Sequence, residues 1–117
     1  MRVLLVDKES SVRALVHTAL QIRGGFEVVG EAGTGRDAID LVRSLAPDVV
    51  VLGRMLPDIG GDDVAEQIRH EGGGPRVMVY SSYDPKDMPL SVAVGAYVTK
   101  DDDLQIFLEA IALETLR

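Results

Sequence analysis

Residues 49–58 read VVVLGRMLPD. Three valines and a leucine in succession show no polar alternation, which is the pattern of a strand buried on both faces of a parallel sheet. Pro57 turns the chain just beyond it. In an open parallel sheet the functional crevice lies at the carboxyl ends of the strands. This strand ends at Gly53, a residue without a side chain, so the sequence asks what stands there in its place.

Working outward, Asp48 to Leu52 is the third of five expected strands. Val3 to Val6 is a short apolar run suited to a first buried strand, and Phe26 to Val29 reads as the second. Arg76 to Tyr80 is the fourth and Ala96 to Thr99 a weaker fifth. Between them lie helical patterns. Ser10 to Ile22 places Val12, Leu15, Val16 and Ala19 on one face, with Ser10 or Ser11 as a cap and Gly24-Gly25 as a stop. Thr34 to Leu45 turns Ala38, Leu41, Val42 and Leu45 inward, with Thr34 as cap, Asp37 as its partner and Pro47 beyond the end. Asp62 to His70 carries acids in its first turn. Asp101 to Leu116 closes the chain with Leu104, Phe107, Leu108 and Ile111 on one stripe. Strands alternating with helices call for an α/β fold with a parallel sheet covered on both faces.

The 117 residues fit one domain, residues 1–117, with no repeat, linker or low-complexity segment. A formal charge of −7 argues against direct nucleic-acid binding by this segment. There are no cysteines, which excludes disulfides and thiolate metal sites. The apolar run before Asp7 is too short for a signal peptide, and no stretch approaches the ~20 apolar residues of a membrane span. A cytoplasmic domain is expected. His17 and His70 sit on different helices without ligand spacing, and Gly33-Thr34-Gly35 lacks a phosphate-loop pattern.

The strand ends gather Asp7-Lys8, Gly53, Ser81-Ser82 and Lys100 at one edge. With VLLVDKES, VVGEAGTGRDAIDLV, APDVVVLGRMLPDIGG, VMVYSS and AYVTK, the sequence resembles the receiver domain of two-component response regulators from Arg2 to about Leu113. The EAGTGRDAIDL and PDVVVL pieces are similar to receivers that carry a LuxR-type helix-turn-helix output domain. The resemblance implies a flavodoxin-like, doubly wound, five-stranded parallel sheet in the order 2-1-3-4-5. It also implies phosphoryl transfer from a histidine kinase to an aspartate ending the third strand, with two acids after the first strand helping to hold Mg²⁺. By position, Asp7 is the first of those acids, Lys8 replaces the second, and Gly53 replaces the phospho-acceptor. Ser81 and Lys100 match the residues that contact the phosphoryl oxygens, Tyr97 the switch aromatic, and Met55 the backbone carbonyl used by the metal.

The substitutions decide the chemistry. Glycine offers no nucleophile, so no aspartyl phosphate can form at position 53. One carboxylate, Asp7, faces two ammoniums, Lys8 and Lys100, leaving a net +1 where the family has −2. Unit charges in contact interact by about 4 kcal/mol at an effective dielectric near 20, so Mg²⁺ binding is not expected. Asp48 lies roughly 16 Å away at the wrong strand end, while Asp58 and Glu9 are in loops without strand-end geometry. Arg54 reads as a solvated rim residue, and Gly53 as room for the Lys8 or Lys100 side chain. Lys8 has two readings: a built-in cation paired with Asp7, or a surface lysine. Between Ser81 and Lys100 the chain falls short of the family by roughly one helical turn and contains Pro85 and Pro89. The fourth helix should therefore be short, over Leu90 to Val94, with Met88, Leu90 and Val92 as either partner patch or core.

The expected function is a non-enzymatic, phosphorylation-independent pseudo-receiver. It would act through protein partners, a homodimer, or a DNA-binding output domain outside this chain. The alternative is a small-molecule or anion sensor using the former phosphorylation pocket.

Overall fold

The computed structural model describes residues 1–71, 74–82, 96–100 and 104–114. The strands are β1 (Arg2–Val6), β2 (Glu27–Ala32), β3 (Val49–Leu52), β4 (Arg76–Ser81) and β5 (Ala96–Thr99). The helices among the described residues are α1 (Ser10–Arg23), α2 (Gly35–Leu45), α3 (Gly61–His70) and α4 (Leu104–Glu114). The sheet is parallel throughout, in the order β2-β1-β3-β4-β5, as expected. The short fourth helix expected over Leu90 to Val94, with Met88 and its neighbours, lies outside the described residues, as does the Asp101–Asp103 run.

Residue parity divides the core in two. Leu4, Val6, Val50, Leu52 and Val77 pack under α2 and α3, against Ala38, Ile39, Val42, Val64, Ala65 and Ile68. Val3, Leu5, Val49, Val51, Met78, Tyr80 and Val98 face the other way, against Val16 and Leu20 of α1 and Phe107 and Ile111 of α4. Each central strand therefore buries both faces, which is why its sequence shows no alternation.

Local expectations shift in several places. β2 runs to Ala32 rather than stopping at Val29. It is an edge strand with one half-open face, so Gly30 and Glu31 fit in it, and its register slips by one residue opposite Val3 and Leu4. Neither Ser10 nor Ser11 caps α1. Glu9 takes the cap position without a side-chain hydrogen bond, and the Asp7 carboxylate instead accepts the Glu9 N–H at 2.9 Å and sets the turn. Leu15 is 53% exposed, while Leu20 takes the inward place. Thr34 does cap α2, its hydroxyl accepting the Asp37 N–H at 3.2 Å. α3 begins one residue before Asp62, at Gly61.

Candidate functional site

Parallel pairing brings four strand ends to one edge. Asp7, Gly53, Ser81 and Lys100 each directly follow or close their strands, and backbone hydrogen bonds hold them level: Gly53 N–H to Val6 O at 2.8 Å, Lys100 N–H to Ser81 O at 2.8 Å. They line one pocket of about 140 Å³, joined by Lys8, Glu9, Arg54, Met55 and Ser82. The residues selected from the sequence as one constellation are thus neighbours in space.

The Asp7 carboxylate is the hub. It is buried, with Oδ1 on the Glu9 N–H at 2.9 Å and Oδ2 on the Lys100 ammonium at 2.8 Å. Its backbone carbonyl accepts from Arg13 at 2.6 Å. Lys8 is exposed, and among the described residues it forms no ion pair, so of its two readings the structure matches the surface lysine, and Lys100 takes the place beside Asp7. The reason is geometric: the lysine adjacent in sequence points off the strand end, while the one 93 residues away extends across it.

Gly53 leaves that ion pair its room, since a side chain here would push the carboxylate by a few tenths of an ångström. A Cβ built on it would stand 3.0 Å from Asp7 Oδ2 and 3.4 Å from its Cγ. The space a side chain at 53 would take is occupied by the Asp7 carboxylate, with Lys100 bound to it, rather than by a lysine directly. Gly61 contributes a second close approach. A Cβ there would collide with the Gly53 carbonyl and stand 2.8 Å from Arg54 Cα, and its own N–H donates to Arg54 O at 2.7 Å. α3 is thereby held tight against the strand end.

Arg54 is not at a solvated rim. Its side chain is only 2% exposed and pairs with Asp62 of α3 at 2.7 Å. Its Cζ lies 6.0 Å from the Tyr97 ring centroid. Burial disfavours its charge, but the hydrogen bonds and charge of Asp62, with Tyr97, more than offset this and leave its pKa raised. Reading the sequence put this residue at the rim because β3 ends two positions earlier, at Leu52. The usable signal was Asp62 eight residues on, with Gly61 beside it opening the path. Arg54 with Asp62 leaves the +1 counted for Asp7, Lys8 and Lys100 unchanged, Glu9 brings the local balance to zero, and Lys100 and Arg54 are both paired.

Of the candidate replacement acids, Glu9 lines the pocket, while Asp48 and Asp58 are engaged elsewhere. Asp48 accepts the Arg2 N–H at 2.7 Å, at the opposite sheet edge. Asp58 lies in the loop between β3 and α3 and is held by bonds that lead to α2: it accepts the N–H groups of Gly35 at 2.8 Å and Arg36 at 3.0 Å. Among the described residues no three His, Cys, Asp or Glu side chains converge as metal ligands. Nor, among them, is any helix long and apolar enough to cross a membrane.

The sequence matches the Response regulator receiver domain family over residues 3–112. It is 34% identical to the nitrate/nitrite response regulator protein NarP of Escherichia coli K12, over 94% of this chain and 53% of that protein. It is 28% identical to the response regulator protein VraR of Staphylococcus saprophyticus, over 95% of this chain and 54% of that protein. The chain thus spans about half the length of these relatives. Among solved structures, the signal receiver domain of a NarL response regulator from Mycobacterium tuberculosis superposes with a TM-score of 0.88 at 28% identity, covering 99% of this chain and 97% of that one. A LuxR-family response regulator from Aurantimonas gives 0.89 at 30% identity, over 99% and 86%.

Proposed function

This chain belongs to the response regulator receiver domain family, and from that premise we propose that residues 1–117 form a receiver domain that signals without being phosphorylated. The observation that carries this reading is the Asp7–Lys100 pair standing in the space a side chain at position 53 would need. A receiver needs a carboxylate nucleophile there, and glycine supplies none.

The residues present do not fit Mg²⁺. Hard cations take several oxygens with a carboxylate anchor. Here both oxygens of Asp7, the strand-end carboxylate among the described residues, are engaged, one by a backbone N–H and one by an ammonium. No step of the function is therefore routed through a metal. Lys100 and Arg54 are both paired within the site, which leaves the anion-sensor reading the exposed Lys8 in place of the two buried cations.

The domain then acts by contact rather than catalysis, on a protein partner, a second copy of itself, or an output domain. The last is favoured by the relatives: NarP and VraR are both about twice as long as the matched segment, and both are named response regulators. With its acidic charge, this segment would regulate such an output rather than touch nucleic acid, and it would do so in the cytoplasm.

Incubation with acetyl phosphate and Mg²⁺, read by intact mass, tests the proposal. The expected result is an unchanged mass. Gain of one phosphoryl group on an aspartate would overturn it.

A further inference from the structure

Three elements meet at Arg54. Its backbone leaves β3 and accepts the Gly61 N–H at 2.7 Å. Its guanidinium donates to Asp62 Oδ2 at 2.7 Å, in the first turn of α3. Beyond that, its Cζ lies 6.0 Å from the ring centroid of Tyr97, on β5. Arg54 is also among the residues that line the strand-end pocket.

The choice of residue suits a strut. A guanidinium is planar and permanently charged, and it binds a carboxylate and an aromatic face at once, which a lysine ammonium does less well. Buried, it cannot leave Asp62 without stranding its charge. For the Tyr97 ring to change rotamer it must part from a cation held in place from two other elements.

We propose that Arg54 is a positioning residue that clamps Tyr97 to the β3–α3 junction, so that the surface around β5 keeps one arrangement with no event in the pocket. This rests on the phosphorylation-independent reading of the same site, and deepens it by naming what takes over from the phosphoryl group in holding the aromatic.

The test is NMR on the whole chain. Hα–Hβ couplings of Tyr97, and cross-relaxation between its ring and the Arg54 δ protons, are measured in the wild type, Arg54→Met and Asp62→Asn, with thermal melts to verify folding. The wild type should show one staggered rotamer and the ring-to-Arg54 signal. Arg54→Met should show averaged couplings, and Asp62→Asn partial averaging with a weakened signal. Unchanged single-rotamer couplings in folded Arg54→Met would overturn the clamp. If that variant does not fold, unchanged couplings in Asp62→Asn would do so, as would averaging already present in the wild type. Parallel samples with acetyl phosphate and Mg²⁺ separate the two readings. A phosphoryl adduct on the wild type removes the phosphorylation-independent reading, while the couplings of the untreated protein still decide the clamp.

Discussion

Gly53 acts through the space it leaves. With no Cβ, it lets a buried carboxylate lean across the end of β3 and take a lysine from β5. An aspartate there would crowd Asp7 and add a like charge beside it, freeing Lys100 for the newcomer. Restoring both missing acids in a Lys8→Asp, Gly53→Asp variant should therefore create a Mg²⁺-dependent phosphoacceptor. Intact mass after acetyl phosphate should show one added phosphoryl group, with less on Gly53→Asp alone. A folded double variant that stays unmodified would mean the acids are not what the site lacks. At this scale the strand-end residues were legible, because a parallel sheet delivers Asp7, Gly53, Ser81 and Lys100 to one edge whatever else varies. Arg54 was not, since no local pattern says whether a residue just past a strand turns inward. That depends on a partner in α3 and on the absence of a side chain at Gly61.

Among the elements, α2 shows how a loop acid can be committed to structure. Asp58 accepts the first N–H groups of that helix from outside it, where the helix dipole favours a negative charge. The Gly35 hydrogen bond, working against a smaller burial effect and joined by the Arg36 hydrogen bond, holds its pKa below the usual carboxylate value. A depressed folded-state pKa adds stability that is complete above the unfolded value and fades as pH falls through the folded one. Asp58→Asn should thus melt at a lower temperature near neutral pH, and the gap to wild type should close as the carboxylate protonates in acid. Melting curves from about pH 7 to about pH 3 check this, and a gap independent of pH would count against the charge. Element types were readable from periodicity, but ends were less so. β2 outran its apolar stretch because an edge strand tolerates Glu31, which pairs with Arg13 at 3.0 Å. Leu15 looked inward on a helical wheel, yet the buried stripe of α1 centres on Val16 and Leu20.

Over the whole molecule, the two sides of the sheet are separately packed. Phe107 is the largest fully buried side chain, and its ring meets Tyr80 at 5.0 Å between centroids, joining α4 to β4. Truncating a buried phenylalanine typically costs about 3–5 kcal/mol. Phe107→Ala should lose a stability of that order in urea unfolding, and a loss under about 1 kcal/mol would show that α4 contributes little to the core. The layered α/β plan was evident from the sequence because each central strand carries an apolar run without polar alternation, which a doubly covered sheet requires. The direction of each charged side chain at the sheet edge was not, because it is settled by neighbours far off in sequence.

The bond between Lys100 and Asp7 has one more effect. It links the first strand to the last across 93 residues, at the far end of the sheet from the Arg2–Asp48 contact. It also shelters its nitrogen: the Lys100 side chain is 21% exposed, whereas Lys8 stands open to solvent. Acylating enzymes and reagents therefore meet two lysines of one pocket in very different circumstances. Covalent marking at this edge would fall on Lys8 and leave the internal tie intact.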